Sequence, residues 1–302
     1  MNLMAAPFVS YITFNRLGLT VKSLTSILNN RENFELHIID NNSADNTWEY
    51  LQTLKDSRIK SKTRLPVNAG QINSLNLNLT KRRPDQYFIA LDNDVIIESQ
   101  DWITRILNAF KTFPEVGLLS VMAGSPPPAK LPPVIPVFKN SLFYLELSKD
   151  SANTIPDCFP QGCLALRPQL INEIGYWSEE NYFGNPELVF RVNRFTSFKA
   201  GILADISMSL PPEINCVECQ YKEKCKLNQS KETCFSIYNK FSKNDLFRES
   251  FKWKMDETVK DMQSKTRPVY CASLYDYESM SNRIFNMDWA IENIKFFVDN
   301  AN

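Results

Sequence analysis

The sequence predicts an α/β fold, a mostly parallel sheet flanked by helices, followed by a smaller C-terminal appendage. Three observations predict it. Over the first hundred residues short apolar runs alternate with stretches of helical spacing, the pattern of βαβ units. Each apolar run ends in polar residues, which a parallel sheet would gather along one edge. From about residue 206 the chain becomes Lys-rich and punctuated by cysteine, then helical and aromatic.

The elements follow in order. "FVSYITF" reads as a strand, and "RLGLTVKSLTSILNN" as a helix with Leu17, Val21, Leu24, Ile27 and Leu28 at helical spacing. "FELHIID" is the second strand; His37 lies inside it and reads as a strand residue rather than a ligand. After the polar turn "NNSADN", where Ser43 or Asp45 could cap, "TWEYLQTLKD" is a helix. "IKSKTRLP" is a shorter, edge-like strand, "QINSLNLNLTK" a helix and "QYFIALDND" a strand buried on both faces. "DWITRILNAFKTF" is amphipathic and "VGLLSVMAG" another strand. "GSPPPAKLPPVIP" is a loop or ordered crossover, because proline lacks the amide donor and fixes φ; a strand-like "VFKNSLFYLEL" follows it. The composition shift sets two units, residues 1–205 for the α/β domain and 206–302 for a mainly helical, cysteine-rich lobe.

Composition bounds the function. Apolar residues make up 43% and aromatic residues 12% of the 302, enough for a full core. Lys plus Arg and Asp plus Glu number 34 each, so no global field recruits nucleic acid or anionic lipid. The N-terminus has no basic leader before a long apolar core, and no run approaches the roughly 18 apolar residues of a membrane span. The expectation is a cytoplasmic protein.

The strand ends carry the chemistry. Asp92 and Asp94 are two residues apart in an extended segment, so their carboxylates can converge. Two hard oxygen ligands at the carboxyl end of a parallel strand suit Mg2+ or Mn2+ holding a diphosphate, and ligands bind at that edge of open α/β sheets. The other reading is a pair of turn and capping acids before the next helix. The remaining strand ends favour the first: "TFNR" (Thr13 to Arg16), "DNNSADNT" (Asp40 to Thr47) and "LPVNAGQINSLN" fall on the same edge.

That order, TFNR, IIDNNSADNT, NAG separated by five residues from Asn76, and a strand ending in DND, resembles the nucleotide-sugar-dependent glycosyltransferases of family 2, with the Rossmann-like GT-A fold. The resemblance implies a nucleotide-sugar pocket of Thr13, Asn15, Arg16, Asp40, Asn42, Asn68, Gly70, Asn76, Asp92 and Asn93. It makes Asp40 the acceptor for the base or ribose, and Asp92 and Asp94 the ligands of Mn2+ or Mg2+. The implied reaction is an inverting transfer from a nucleotide diphosphate sugar to an acceptor hydroxyl on a glycan, protein or modified nucleobase. Some relatives add a metal ligand from a late histidine, and this chain has none there.

The resemblance runs on to about residue 205 through Gly162, Arg167, Glu173, Gly175, Trp177, Glu187, Leu188 and Arg191. It departs at one place: Gly184-Asn185 stands where the family has Glu-Asp, whose Asp is the usual general base. An amide binds no proton at useful pH. Glu187 is the candidate replacement and Asn185 marks the position; alternatively the acceptor needs little deprotonation, or catalysis has been lost. A capping role at a helix N-terminus is the other reading of Glu187. A scaffold without turnover that binds protein or nucleic acid is the competing class.

Cys216, Cys219, Cys225 and Cys234 have the spacing C-x2-C-x5-C-x8-C. Four thiols so close suit a structural Zn2+ site, with an Fe–S cluster, disulfides or unliganded thiols as alternatives. Cys158, Cys163 and Cys271 read as small buried hydrophobes. Between Cys216 and Lys260 ten basic residues face seven acidic ones with aromatics between them. A solvated face over a small core is the favoured reading, ahead of a nucleic-acid surface.

Overall fold

The computed structural model describes residues 5–122, 131–156, 159–178, 184–210, 219–233 and 245–278. Its centre is a nine-stranded sheet in the order β3-β2-β1-β4-β9-β6-β10-β8-β7. The strands are β1 (Phe8–Thr13), β2 (Glu35–Asp40), β3 (Ile59–Arg64), β4 (Phe88–Asp92), β6 (Val116–Val121), β7 (Val134–Lys139), β8 (Leu142–Leu147), β9 (Cys163–Leu166) and β10 (Lys199–Leu203). A short β5 (Ile96–Ile97) pairs with β11 (Met208–Ser209) beside it. β1 runs parallel to both β2 and β4, and β6 parallel to β10, while β8 and β9 run against the rest. The mostly parallel α/β fold is therefore as expected.

Helices cover both faces. α1 (Leu17–Leu28), α2 (Thr47–Thr53) and α4 (Trp102–Thr112) pack with Val9, Tyr11, Ile38 and Leu91 in one core. α3 (Gln71–Leu79), α5 (Pro168–Ile174) and α6 (Gly184–Phe195) pack with Phe8, Ile12, Phe88 and Leu164 in the other. Alternate residues of β1 thus feed opposite cores, which is why "FVSYIT" is apolar nearly throughout. Ser10, the polar exception, accepts a hydrogen bond from Asn78 Nδ2 at 2.9 Å. His37 behaves as a strand residue: it lies within hydrogen-bonding distance of Ser61 Oγ at 2.9 Å, stacks on Phe8, and burial pushes its pKa down to about 4.

Two elements differ from the sequence reading. "VFKNSLFYLEL" is a hairpin, not one strand: Asn140 and Ser141 adopt left-handed backbone (φ 50° and 64°) and reverse the chain between β7 and β8. β9, hidden in the cysteine-containing run "GCLAL", inserts antiparallel between β4 and β6.

Beyond residue 205 the described chain returns to this core. Met255 and Met262 of a long helix (Asp245–Gln263) pack against Phe190 and Ile155. Gly175 forms a parallel bridge with Cys271, and Arg191 donates to the Val269 carbonyl at 3.1 Å. No helix among the described residues is long and apolar enough to cross a membrane.

Candidate active site

Sheet order reverses at β1, whose neighbours β2 and β4 lead out in opposite directions, and this switch point opens a crevice at the carboxyl edge. A cleft of about 390 Å³ occupies it. Ile12, Thr13, Phe14 and Arg16 line it from the end of β1, Asn41 from β2, and Asn68, Gly70, Gln71 and Ile72 from the start of α3. Asp92, Asn93 and Asp94 enter from β4, and Gln161 from the segment before β9.

Local geometry holds these groups in place. Asn15 and Arg16 are both left-handed (φ 53° and 63°), which turns the chain sharply out of β1 and into α1. Asn15 Oδ1 accepts the Ala44 amide at 2.7 Å, and the Asn15 amide donates to Ser43 Oγ at 2.8 Å. Asp45 ties the starts of two helices together by accepting the amides of Leu17 (3.1 Å) and Thr47 (2.9 Å). Asn41 Oδ1 holds the Ala69 amide at 2.9 Å and Asn68 Oδ1 the Gly70 amide at 3.0 Å, which fixes the loop into α3.

Gly70 has φ 82° and ψ 162°, a region open essentially to glycine alone. Gly70→Ala is therefore expected to cost about 1–3 kcal/mol, measured by denaturant unfolding. The same change should displace the α3 N-terminus, whose first residues line the cleft and whose first-turn amides lack intrahelical partners, which favours an anion there.

The two acids differ in environment. Asp92 is partly buried, accepts a hydrogen bond from Gln71 Nε2, and has its pKa pushed well above the usual carboxylate range, first by desolvation of its carboxyl and then by the neighbouring Asp94. Asp94 is partly open and pairs with Arg16 at 3.0 Å. Asn93 sits between them and donates from Nδ2 to Thr13 Oγ1 at 3.1 Å. Two adjacent carboxylates facing one cleft are a donor set that a divalent cation fits.

Other predicted site residues stand elsewhere. Asp40 is fully buried beneath the loop that follows it: it accepts hydrogen bonds from the Ser43 amide (3.2 Å) and hydroxyl and pairs with Arg64 at 3.3 Å. Burial pushes its pKa up despite those bonds. Asn42, left-handed at φ 62°, is a turn residue outside the cleft lining. Asn76 is buried on the inner side of α3, where its amide group exchanges hydrogen bonds with the Trp177 backbone at 2.9 and 3.1 Å. Asn15 supports the cleft from behind rather than lining it. The reading missed Ile12, Phe14, Asn41, Gln71, Ile72 and Gln161; Asn41 and Gln71 each adjoin a residue it named, but Gln161 carried no local signal.

Glu187 is not in the cleft. It is 1% exposed and lies 2.6 Å from Arg191 Nε, one helical turn along α6. The Arg191 guanidinium in turn donates to the carbonyls of Ile174 (3.0 Å), Tyr176 (2.8 Å) and Val269. This pair clamps α6 to the loop after α5, a buried contact that neither the helix-terminal reading of Glu187 nor its reading as the base includes. Burial pushes its pKa up against the pull of Arg191.

Asn185 is 3% exposed; its Oδ1 accepts from Trp177 Nε1 at 2.7 Å and its Nδ2 donates to Gln161 Oε1 at 3.4 Å. Gly184 has a physical reason of its own, since a Cβ there would come within 2.4 Å of Ile72 Cδ1.

Cys219, Cys225 and the buried Cys163 and Cys271 are not joined in disulfides. Cys216, Cys234 and Cys158 lie outside the described residues. Among the described residues no group of three or more His, Cys, Asp or Glu is arranged to hold a metal.

Comparison with known proteins adds family and fold. The model of glycosyl transferase family 2 matches residues 9–175. The mannosyltransferase PcManGT from Pyrobaculum calidifontis, solved in complex with GDP-Man and Mn2+, is 15% identical with a TM-score of 0.51, covering 70% of this chain and 59% of its own. TarS 1–349 from S. aureus, in complex with UDP-GlcNAc, is 14% identical with a TM-score of 0.48, covering 68% and 57%. The chain thus spans less than two thirds of the length of either structure. No curated protein matches the sequence.

Proposed function

The chain belongs to glycosyl transferase family 2, and from that premise we propose that it moves a sugar from a nucleotide diphosphate sugar to an acceptor hydroxyl, with inversion at the anomeric carbon. The observation that carries this reading is the convergence of Thr13, Asn68, Gly70 and Asp92-Asn93-Asp94 on one cleft at the sheet's switch point. PcManGT, solved with GDP-Man and Mn2+, supports the donor class and the metal class.

The residues take separate roles. Thr13 and Asn41, at the ends of β1 and β2, face the nucleoside end of the donor. The amides that open α3 receive diphosphate oxygens. Asp92 and Asp94 would hold Mn2+ or Mg2+, which neutralises the charge that builds on the departing diphosphate. Arg16 keeps Asp94 aimed at the cleft. Gln71 holds Asp92.

The pH dependence follows from Asp92. As pH rises above the ordinary carboxylate range, the unfolded chain ionises this acid before the folded chain does, so folding stability falls until the raised folded pKa is passed. A cation needs the ionised form. Binding of Mn2+ with nucleotide should therefore release a proton and tighten as pH rises through Asp92's raised pKa. Calorimetry at a series of pH values, each in two buffers of different ionisation enthalpy, measures that proton; none released at any pH from the ordinary carboxylate range upward would remove Asp92 as a ligand.

The acceptor side supports a second reading. Asn185 cannot take a proton and Glu187 lies against Arg191, which favours a reading in which neither is the base. A GT-A scaffold that binds nucleotide sugar without turnover, presenting its C-terminal lobe to a protein or nucleic acid, fits that observation. Prolonged incubation with UDP-GlcNAc and GDP-mannose in Mn2+, with nucleoside diphosphate release followed chromatographically, separates the two. Release, with the product anomer inverted by NMR, supports the enzyme; tight binding without release supports the scaffold.

For the cysteines the proposal is structural Zn2+ on Cys216, Cys219, Cys225 and Cys234. Elemental analysis is expected to find about one zinc per chain, the stoichiometry of a four-thiolate site. Zinc-free protein purified without chelators would reduce them to ordinary thiols.

A further inference from the structure

We infer that Gln161 selects the transferred sugar, held by Trp177 and Asn185 so that its Nε2 donates a hydrogen bond to a sugar oxygen. The inference rests on the nucleotide-sugar reading of the cleft and adds the group that reads the sugar. It begins with a directional constraint. The indole Nε1–H of Trp177 can only donate, so the Asn185 atom 2.7 Å from it is the amide oxygen. Asn185 must then turn its NH2 the other way, where Gln161 lies. A donor needs an acceptor, so Gln161 presents Oε1 to Asn185, at 3.4 Å. Its own NH2 is left for the cleft that Gln161 lines.

The relay is anchored where it must be. Trp177 is fully buried, and its backbone is gripped at both its amide and its carbonyl by Asn76. Asn185 is 3% exposed at the start of α6, and Gly184 before it is pressed against Ile72. Gln161 alone reaches open space. An amide at position 185 therefore has a task an acid could not perform in the same way. A carboxylate would accept from both Trp177 and Gln161, turn the Gln161 amide over, and expose Oε1 instead of the donor.

Sheet order says which part of the ligand Gln161 meets. Along the carboxyl edge the groups run from Asn41 after β2, through Thr13 after β1 and Asp92 at the end of β4, to Gln161 before β9. Neighbouring strands are about 4.8 Å apart, so Gln161 stands one strand beyond the carboxylates and about three beyond the nucleoside end. The Asp92 amide donates to the Gly162 carbonyl at 3.0 Å, which fixes that spacing. With the diphosphate at Asp92 and Asp94, the next position along the edge belongs to the sugar. Its partner atom must be an acceptor: a hydroxyl or an acyl carbonyl oxygen.

The test compares the affinity for a nucleotide sugar with that for its nucleoside diphosphate, by titration calorimetry of the full chain in Mn2+, with UDP against UDP-GlcNAc and GDP against GDP-mannose. Gln161→Met removes the donor without adding charge on an exposed side chain, so the fold is kept. It should bind the diphosphate within about twofold of wild type and lose roughly tenfold for the preferred nucleotide sugar, the scale of one hydrogen bond left unmade. Asn185→Asp should lower the same ratio by turning Gln161 over; the added charge by itself would repel the more highly charged diphosphate more than the nucleotide sugar and so move the ratio the other way. A merely structural Asn185 would weaken both ligands equally. An unchanged ratio in Gln161→Met overturns the inference while leaving the nucleotide site standing. Wild-type protein that binds none of the four ligands overturns both.

Discussion

Asp94→Ala is expected to abolish Mn2+-dependent binding of nucleotide sugar and to lower any transfer activity by about a hundredfold or more, the scale of removing a group that stabilises developing charge. The fold should survive. Asp94 is partly solvent-exposed, pairs among the described residues with Arg16 at 3.0 Å, and belongs to neither core. Pairs of that exposure contribute up to about 1 kcal/mol, so the unfolding midpoint should move little. Arg16, no longer neutralised by that acid, leaves its positive charge beside the diphosphate site and should preserve part of the metal-independent affinity for the bare diphosphate. Titration of GDP and UDP with and without Mn2+ separates these effects. Equal Mn2+ dependence in wild type and variant would remove Asp94 from the site.

Glu187→Ala should have its largest effect on stability. It leaves the fully buried Arg191 guanidinium without its counter-ion, a loss of about 3–5 kcal/mol for a pair of this kind. The damage should spread to the segment that Arg191 holds, because its bonds to Ile174, Tyr176 and Val269 join α5, α6 and the C-terminal residues. Hydrogen exchange should show amides near 174–176 and 269–271 losing protection first. Glu187→Gln is the sharper probe, since it keeps the volume and one acceptor for Arg191. Assayed below its melting temperature it should retain turnover within a few-fold. Turnover lost by several orders of magnitude at unchanged stability would return Glu187 to the role of base.

Most of the sheet was legible because burial on both faces forces near-continuous apolar runs, and the polar residues that end them can only lie at the edge. Asp92, Asp94, Thr13, Asn68 and Gly70 were found in this way, and all five line the cleft. What the sequence concealed were side chains whose task depends on contacts distant in the chain. Asn76 and Trp177 are 101 positions apart and meet through a hydrogen bond that no spacing rule encodes. Asp40 sits at a strand end like the others, but the Ser43 turn closes over it and withdraws it from the cleft. Glu187 has the look of an active acid only until Arg191, four residues on, is seen to lie on the same buried face. β9 was missed for a related reason: four apolar residues carry no period long enough to read, and only the gap between β4 and β6 makes them a strand.

The central claim is that this cleft holds a nucleoside diphosphate through a divalent cation on Asp92 and Asp94. Titration calorimetry of the full chain with UDP, GDP and their sugar conjugates, in Mn2+ and again after the metal is chelated, tests it most directly. The expected result is saturable binding of at least one of these ligands in Mn2+ that weakens at least tenfold on chelation, corresponding to about 1.4 kcal/mol or more. Binding that is indifferent to the metal, or absent for every ligand at millimolar concentration, would contradict it.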